Sequence, residues 1–97
     1  MASVVWTEEA ERWLSKIHDY IARDKPQAAV NVVQSIFDRA QILATFPELG
    51  HKYRSPSGRD VRILLWGHYR IVYIKTDDDV HIVGVFHGAM ELDQYLR

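Results

Sequence analysis

The side chains with the clearest chemical potential are Arg62, Arg70 and His87, all in the C-terminal part of the chain. If the strands between Arg59 and Gly88 pair through tight turns, Arg70 stands opposite Val85 and His87 falls one pleat further on the same face. A guanidinium beside an imidazole that titrates near neutrality suits phosphate chemistry: the cation offsets developing charge while the imidazole moves a proton. A rim arginine and a capping histidine would give the same sequence. The 5 histidines are scattered without H-x₃-H or HExxH spacing, which predicts no metal site. No P-loop, GxGxxG or GxSxG motif is present, so the residues imply no cofactor. Ser55 and Ser57 lie in a loop with no evident base to activate them.

The elements that must position these residues centre on RDVRILLWGHYRIVYIKTDDDVHIVGVFHG, Arg59 to Gly88, which reads as three consecutive antiparallel strands. Gly67 at the first position of a two-residue turn predicts type II′ geometry and pairs Trp66 with Tyr69. Residues opposite one another share a face. Val61, Ile63, Leu65, Arg70, Val72 and Ile74 therefore fall on one side, the side expected to meet the helices. Arg62, Leu64, Trp66, Tyr69, Ile71 and Tyr73 fall on the other. With Asp77 and Asp78 as the second turn, His81, Val83, Val85 and His87 join the first face, and Ile82, Gly84 and Phe86 join the second. A shift of one residue would flip that assignment.

Upstream, Ser3 to Trp6 is long enough for one edge strand. Thr7 is a helix N-cap followed by Glu8, Glu9 and Glu11, and Ala10, Trp13, Leu14, Ile17 and Ile21 recur at helical spacing, predicting a helix over 8–23. Asp24, Lys25, Pro26 and Gln27 repeat the start signal with an Asp cap and a capping box. The second helix carries Ala29, Val30, Val33, Ile36, Phe37, Ala40, Leu43 and Ala44 and should end near Thr45, since Pro47 disfavours helix at Phe46. Pro47 to Gly58 reads as a loop, and after Gly88 the segment AMELDQYLR suits a short C-terminal helix or docked tail. The expected fold is α+β: an N-terminal strand and a helical hairpin packed on a small antiparallel sheet, residues 1–97 forming a single domain.

Composition agrees with a small globular domain. The chain has 97 residues, 47% hydrophobic and 26% charged, with no cysteine, which excludes disulfides and thiolate metal sites. A net charge of −1 gives no overall attraction to nucleic acid, although positive residues gather between His51 and Arg70 and Asp77–Asp79 form an acidic tip. No apolar run or leader pattern points to a membrane, and a cytoplasmic location is expected.

The pieces Pro47-Glu48-Leu49-Gly50, Tyr69-Arg70-Ile71-Val72-Tyr73 and Phe86-His87-Gly88-Ala89, in this order and spacing, resemble the RelE/ParE superfamily of type II toxin–antitoxin toxins, also called plasmid stabilisation proteins. The resemblance implies a bacterial toxin held by a cognate antitoxin and leaves open whether it assembles as a homodimer or as a toxin–antitoxin hetero-oligomer. RelE-like members are metal-independent ribonucleases that cut messenger RNA in the ribosome; ParE-like members block DNA gyrase. Arg70 matches the arginine of the RelE-like strand and Arg62 falls near a lysine of the strand before it, with His87 as a further candidate for catalysis if the chain is RelE-like. The second basic position is Leu64, and His87-Gly88-Ala89-Met90 lacks the following arginine. The nuclease set is incomplete, so the resemblance favours the ParE branch, with a member that has lost toxicity and acts as a binding module as a further reading.

The face bearing Arg62, Trp66, Tyr69 and Tyr73 has no predicted element over it except the C-terminal Leu92, Tyr95 and Leu96. It is either a partner surface, which aromatic residues and arginine suit, or a second small core closed by those C-terminal residues.

Overall fold

The structure is a computed structural model in which residues 1–88 are described. Its elements are β1 (Ser3–Trp6), α1 (Glu8–Ala22), α2 (Pro26–Gln41), a 3₁₀ turn (Ile42–Ala44), β2 (His51–Tyr53), β3 (Asp60–Trp66), β4 (Tyr69–Lys75) and β5 (Asp79–His87). The strands form one 5-stranded sheet in the order β1-β5-β4-β3-β2, antiparallel except where β1 joins β5 in parallel. The helical hairpin lies on one face, so the α+β architecture is as expected.

Local chemistry accounts for most boundaries. Thr7 Oγ1 accepts from Ala10 N at 3.2 Å and donates to the Ile82 carbonyl at 2.8 Å, which caps α1 and fastens it to β5. Glu8, Glu9 and Glu11 fill the first turn, where the helix dipole favours them. The second cap differs from expectation. Lys25, not Asp24, is the N-cap of α2 and makes no side-chain cap bond. Gln27 reaches forward to Asn31 at 3.2 Å instead of closing a capping box, and Pro26, which has no N–H to satisfy, opens the helix.

The segment expected as a loop contains β2, which pairs Lys52 with Arg62 and flanks it with His51–Ile63 and Tyr53–Val61. Between β3 and β4, Gly67 has φ +57° and His68 is not in the positive-φ region, consistent with the type II′ turn, and Trp66 pairs with Tyr69.

Two expectations about the sheet are corrected. The helices cover the face carrying Leu64, Ile71 and Tyr73, not the face carrying Val61, Ile63 and Val72. Leu64, Ile71, Tyr73, Val80, Ile82 and Val85 make one core with Ala10, Ile36, Ala40 and Leu43. Val61, Ile63, Val72 and Phe86 make a separate cluster with Tyr53, Ile74 and Val83 against it. Both faces are apolar, so the two-residue period could not choose between them.

The second correction is a register shift at Val72/Tyr73. Ile74 pairs with His81 and Tyr73 with Ile82, but Val72 pairs with Gly84, leaving Val83 as an extra residue on β5. Beyond it every side chain changes face. Val85 turns toward the helices, while Gly84 and Phe86 turn away. Trp13 of α1 reaches round β5, its ring centroid 4.5 Å from that of Phe86, and joins the two clusters. It does so where β5 has outrun β1, which pairs only with Asp79 to Ile82.

Candidate functional site

Arg62 and Arg70 project from β3 and β4, and the register decides what each can reach. Arg62 lies on the helix-side face opposite Tyr73. Its Nε donates to Asp60 Oδ1 at 3.1 Å, and its Nη1 donates to the Glu48 and Gly50 carbonyls, each at 3.0 Å. The side chain is only 11% exposed. Arg62 therefore braces the Pro47–Gly50 turn, and most of its donors are already engaged.

Tyr73 completes that brace. Fully buried, it donates from its hydroxyl to the Pro47 carbonyl at 2.8 Å and accepts from Gly50 N at 2.9 Å. Burial pushes its phenol above the usual value of 10.0, partly offset by the Gly50 N–H and by Arg62. A Cβ on Gly50 would lie 2.7 Å from both Cε1 and the hydroxyl of Tyr73, so only glycine admits this approach.

Arg70 pairs with Phe86, not with Val85, because of the extra residue on β5. It therefore lies on the face away from the helices, and its Nη2 donates to the Gly88 carbonyl at 2.9 Å. His87 pairs with Tyr69 and lies on the helix side. The expected sharing of one face by Arg70 and His87 is thus corrected: they occupy the same end of the sheet on opposite faces. His87 stacks near His68 with ring centroids 6.1 Å apart and meets Tyr69 edge-on at 5.9 Å.

The helix-side face was expected to be open, but the hairpin covers it. Arg62 and Tyr73 are occupied beneath the Pro47–Gly50 turn. Trp66 remains 42% exposed, with Arg39 Cζ of α2 5.7 Å from its ring centroid. Tyr69 is half-buried and lines a groove of about 450 Å³ with Trp13, Lys16, Tyr20, Val85 and His87. Leu92, Tyr95 and Leu96 lie outside the described residues. The predicted contact residues are therefore split between a buried brace, the Trp66 edge and this groove.

Sequence reasoning missed the contribution of α1 to the groove. Trp13, Lys16 and Tyr20 recur at i, i+3 and i+7, a stripe beside the core stripe, with Lys16 Nζ 4.9 Å from the Trp13 ring centroid and Tyr20 75% exposed. That spacing was the available signal. Among the described residues no group of three or more His, Asp or Glu side chains is placed to hold a metal ion, and no helix is long and apolar enough to cross a membrane.

Comparison with known proteins bears on most of the chain. Residues 4–92 match the family model described as the ParE toxin of the type II toxin–antitoxin system, parDE. The chain is 36% identical over 89 residues to "Toxin RelE2" of Caulobacter vibrioides, covering 92% of this chain and 98% of the relative. It is also 36% identical over 91 residues to "Putative toxin Y4kP" of Sinorhizobium fredii, covering 94% and 93%. Among solved structures, the fold is similar to the chromosomal ParDE toxin–antitoxin system from P. aeruginosa, with TM-score 0.74 and 22% identity over 90% of this chain and 96% of that one. It is also similar to the toxin–antitoxin complex RelBE2 from Mycobacterium tuberculosis, with TM-score 0.58 and 25% identity over 89% and 96%.

Proposed function

This chain belongs to the ParE toxin family of type II toxin–antitoxin systems, and from that premise we propose that it acts in the cytoplasm as a gyrase-directed toxin, binding DNA gyrase as a protein ligand. A cognate antitoxin holds it inactive until released, a reading supported by the toxin–antitoxin systems whose structures it resembles.

The observation that carries the choice of target is the dispersal of the cationic candidates. Cleavage of RNA by its own 2′-hydroxyl needs a base, an acid and cations around one phosphate. Here Arg62 is engaged by Asp60 and by the carbonyls of Glu48 and Gly50, and Arg70 and His87 lie on opposite faces. Leu64, which stands where RelE-like members have their second basic residue, is buried in the core. Tyr20 and Trp66 remain exposed as large aromatic residues, which suits protein contact.

Induced expression followed by primer-extension mapping of messages, together with a gyrase supercoiling assay on purified protein, tests this. The expected result is inhibited supercoiling and a DNA-damage response with intact messages. Codon-position cleavage of messages with unaffected gyrase would overturn it in favour of the RelE-like nuclease, and absence of both effects would leave an antitoxin-binding module.

A further inference from the structure

The two edges of the sheet are built differently. β2 is 3 residues long and carries His51 and Lys52, with Arg54 next to it, a short basic strand that discourages pairing with another β2. β1 has no such guard: Met1 to Thr7, MASVVWT, contains no charged side chain.

The backbone of β1 is half used. Ser3 N and Thr7 N donate to the Asp78 and Ile82 carbonyls of the β5 side at 3.3 and 3.1 Å, so by the two-residue period the amides of Val4 and Trp6 point to the open edge. Ala2 N is taken by the Ala44 carbonyl at 2.9 Å. Among the described residues, nothing takes the outward N–H and C=O groups of Val4 and Trp6. Apolar side chains flank this edge on both faces: Val5 on the face away from the helices, 39% exposed, and on the helix side Phe37, 40% exposed and stacked on Trp6 at 5.8 Å.

We propose that the β1 edge is a self-association surface, on which a second copy of this chain adds its own β1 antiparallel about a two-fold axis through Val5. Only this register uses every outward group. Val4 exchanges N–H and C=O with Trp6 of the second copy, Trp6 does the same with Val4 of the second copy, and Val5 faces Val5 in a non-hydrogen-bonded pair. Centring on Val4 would oppose Trp6 to Ala2, whose amide is already committed to Ala44; centring on Trp6 would oppose Val4 to Glu8 of α1. The edge is thus self-complementary in backbone polarity and free of like-charge repulsion, as an isologous contact requires. The two sheets become one continuous sheet, with Trp6 and Phe37 of both copies enclosed on the helix side. This association is independent of which target the toxin binds.

The chain's lack of cysteine makes the test direct. In a non-hydrogen-bonded pair the Cβ atoms are roughly 4.5–5.5 Å apart, whereas the two Ser3 positions would be separated by about 13 Å, four residues of strand rise. Purified toxin freed of antitoxin and carrying Val5→Cys should form a disulfide-linked dimer under mild oxidation, and Ser3→Cys, on the same exposed face, should not. Sedimentation velocity over a concentration series should show a monomer–dimer equilibrium. Val5→Lys, which opposes like charges on the axis, should weaken dimerisation about tenfold or more. A chain monomeric at every concentration, or equal cross-linking at Ser3 and Val5, would overturn the proposal. So would protection of Val5→Cys from alkylation by added antitoxin but not by raised toxin concentration, which would give the edge to another protein.

Discussion

Removing the Tyr73 hydroxyl should loosen the Pro47–Gly50 turn and change the response to alkali. In Tyr73→Phe the ring still fills its place, but the Pro47 carbonyl loses a donor at 2.8 Å and the buried Gly50 N–H loses its acceptor at 2.9 Å. An N–H left buried without a partner costs about 1–3 kcal/mol, and the bond to Pro47 adds about 1 kcal/mol, so the variant should lose about 2–4 kcal/mol. At about 4–8 °C per kcal/mol for a domain of this size, its melting midpoint should fall by about 8 °C or more. The phenol's value is raised in the folded state above 10.0. The unfolded chain therefore releases this proton first, and the folded chain holds the extra proton between the two values. Its contribution is fully present below pH 10 and is lost as pH rises from there through the folded value. Urea unfolding followed by circular dichroism, at neutral pH and in steps above pH 10, should show wild type losing stability faster with pH than Tyr73→Phe, so the two curves converge. A loss below about 0.5 kcal/mol at neutral pH, too small for an orphaned buried donor, or parallel curves in alkali, would refute the brace.

Gly50→Ala should cost about 1–3 kcal/mol by overpacking against Tyr73 and the Ile63 carbonyl. Its cost should shrink in the Tyr73→Phe background, because one of the two contacts at 2.7 Å is then gone; a double-mutant cycle by urea unfolding measures this. Arg62→Met should destabilise by about 1–3 kcal/mol, since the Gly50 carbonyl and the part-buried Asp60 carboxylate lose their partner while the exposed Glu48 carbonyl turns to water, and the loss should appear as a lower urea midpoint with an unchanged slope. Arg70→Ala, on the face away from the groove, should leave growth arrest and gyrase inhibition within about threefold of wild type, a change worth under about 1 kcal/mol. Loss of toxicity in Arg70→Ala, with folding intact, would point back to phosphate chemistry.

Much of this was legible in the residues. β1, α1, the Gly67 turn and the Asp77–Asp78 turn follow from capping, helical period and turn chemistry, which act over a few neighbours. What escaped depends on distant partners. β2 is 3 residues in a Pro- and Gly-bearing stretch and exists because Val61, Arg62 and Ile63 offer it a ladder. The extra residue at Val83 has no composition signal, since VHIVGVFH alternates equally well in either register. Asp24 has the residue type of a cap but lies one residue before the position the backbone uses. At the site, Arg62, Arg70 and His87 were identifiable as candidates by type, but their separation was not, because one unpaired residue on β5 reversed the face of His87 relative to Arg70.

Two of the pieces that carry the family resemblance also have a clear structural cause. The PELG turn and the last residue of the Tyr69–Tyr73 segment meet through the Tyr73 hydroxyl, with Gly50 small enough to admit it and Arg62 holding the Glu48 and Gly50 carbonyls from β3. Glycine, tyrosine and arginine are needed there whatever the protein does, because together they satisfy a turn that would otherwise leave buried polar groups unpaired. The shared motif therefore testifies to a shared fold, and a nuclease and a gyrase binder can both keep it. Target choice must rest on groups the brace does not use. On this chain we propose for that role the Trp66 edge and the groove beside α1, where Tyr20 and Tyr69 present aromatic surface with Lys16 as a cation. Substitutions at the exposed Lys16 and Tyr20 should alter toxicity without altering stability, whereas substitutions in the brace should alter both in proportion.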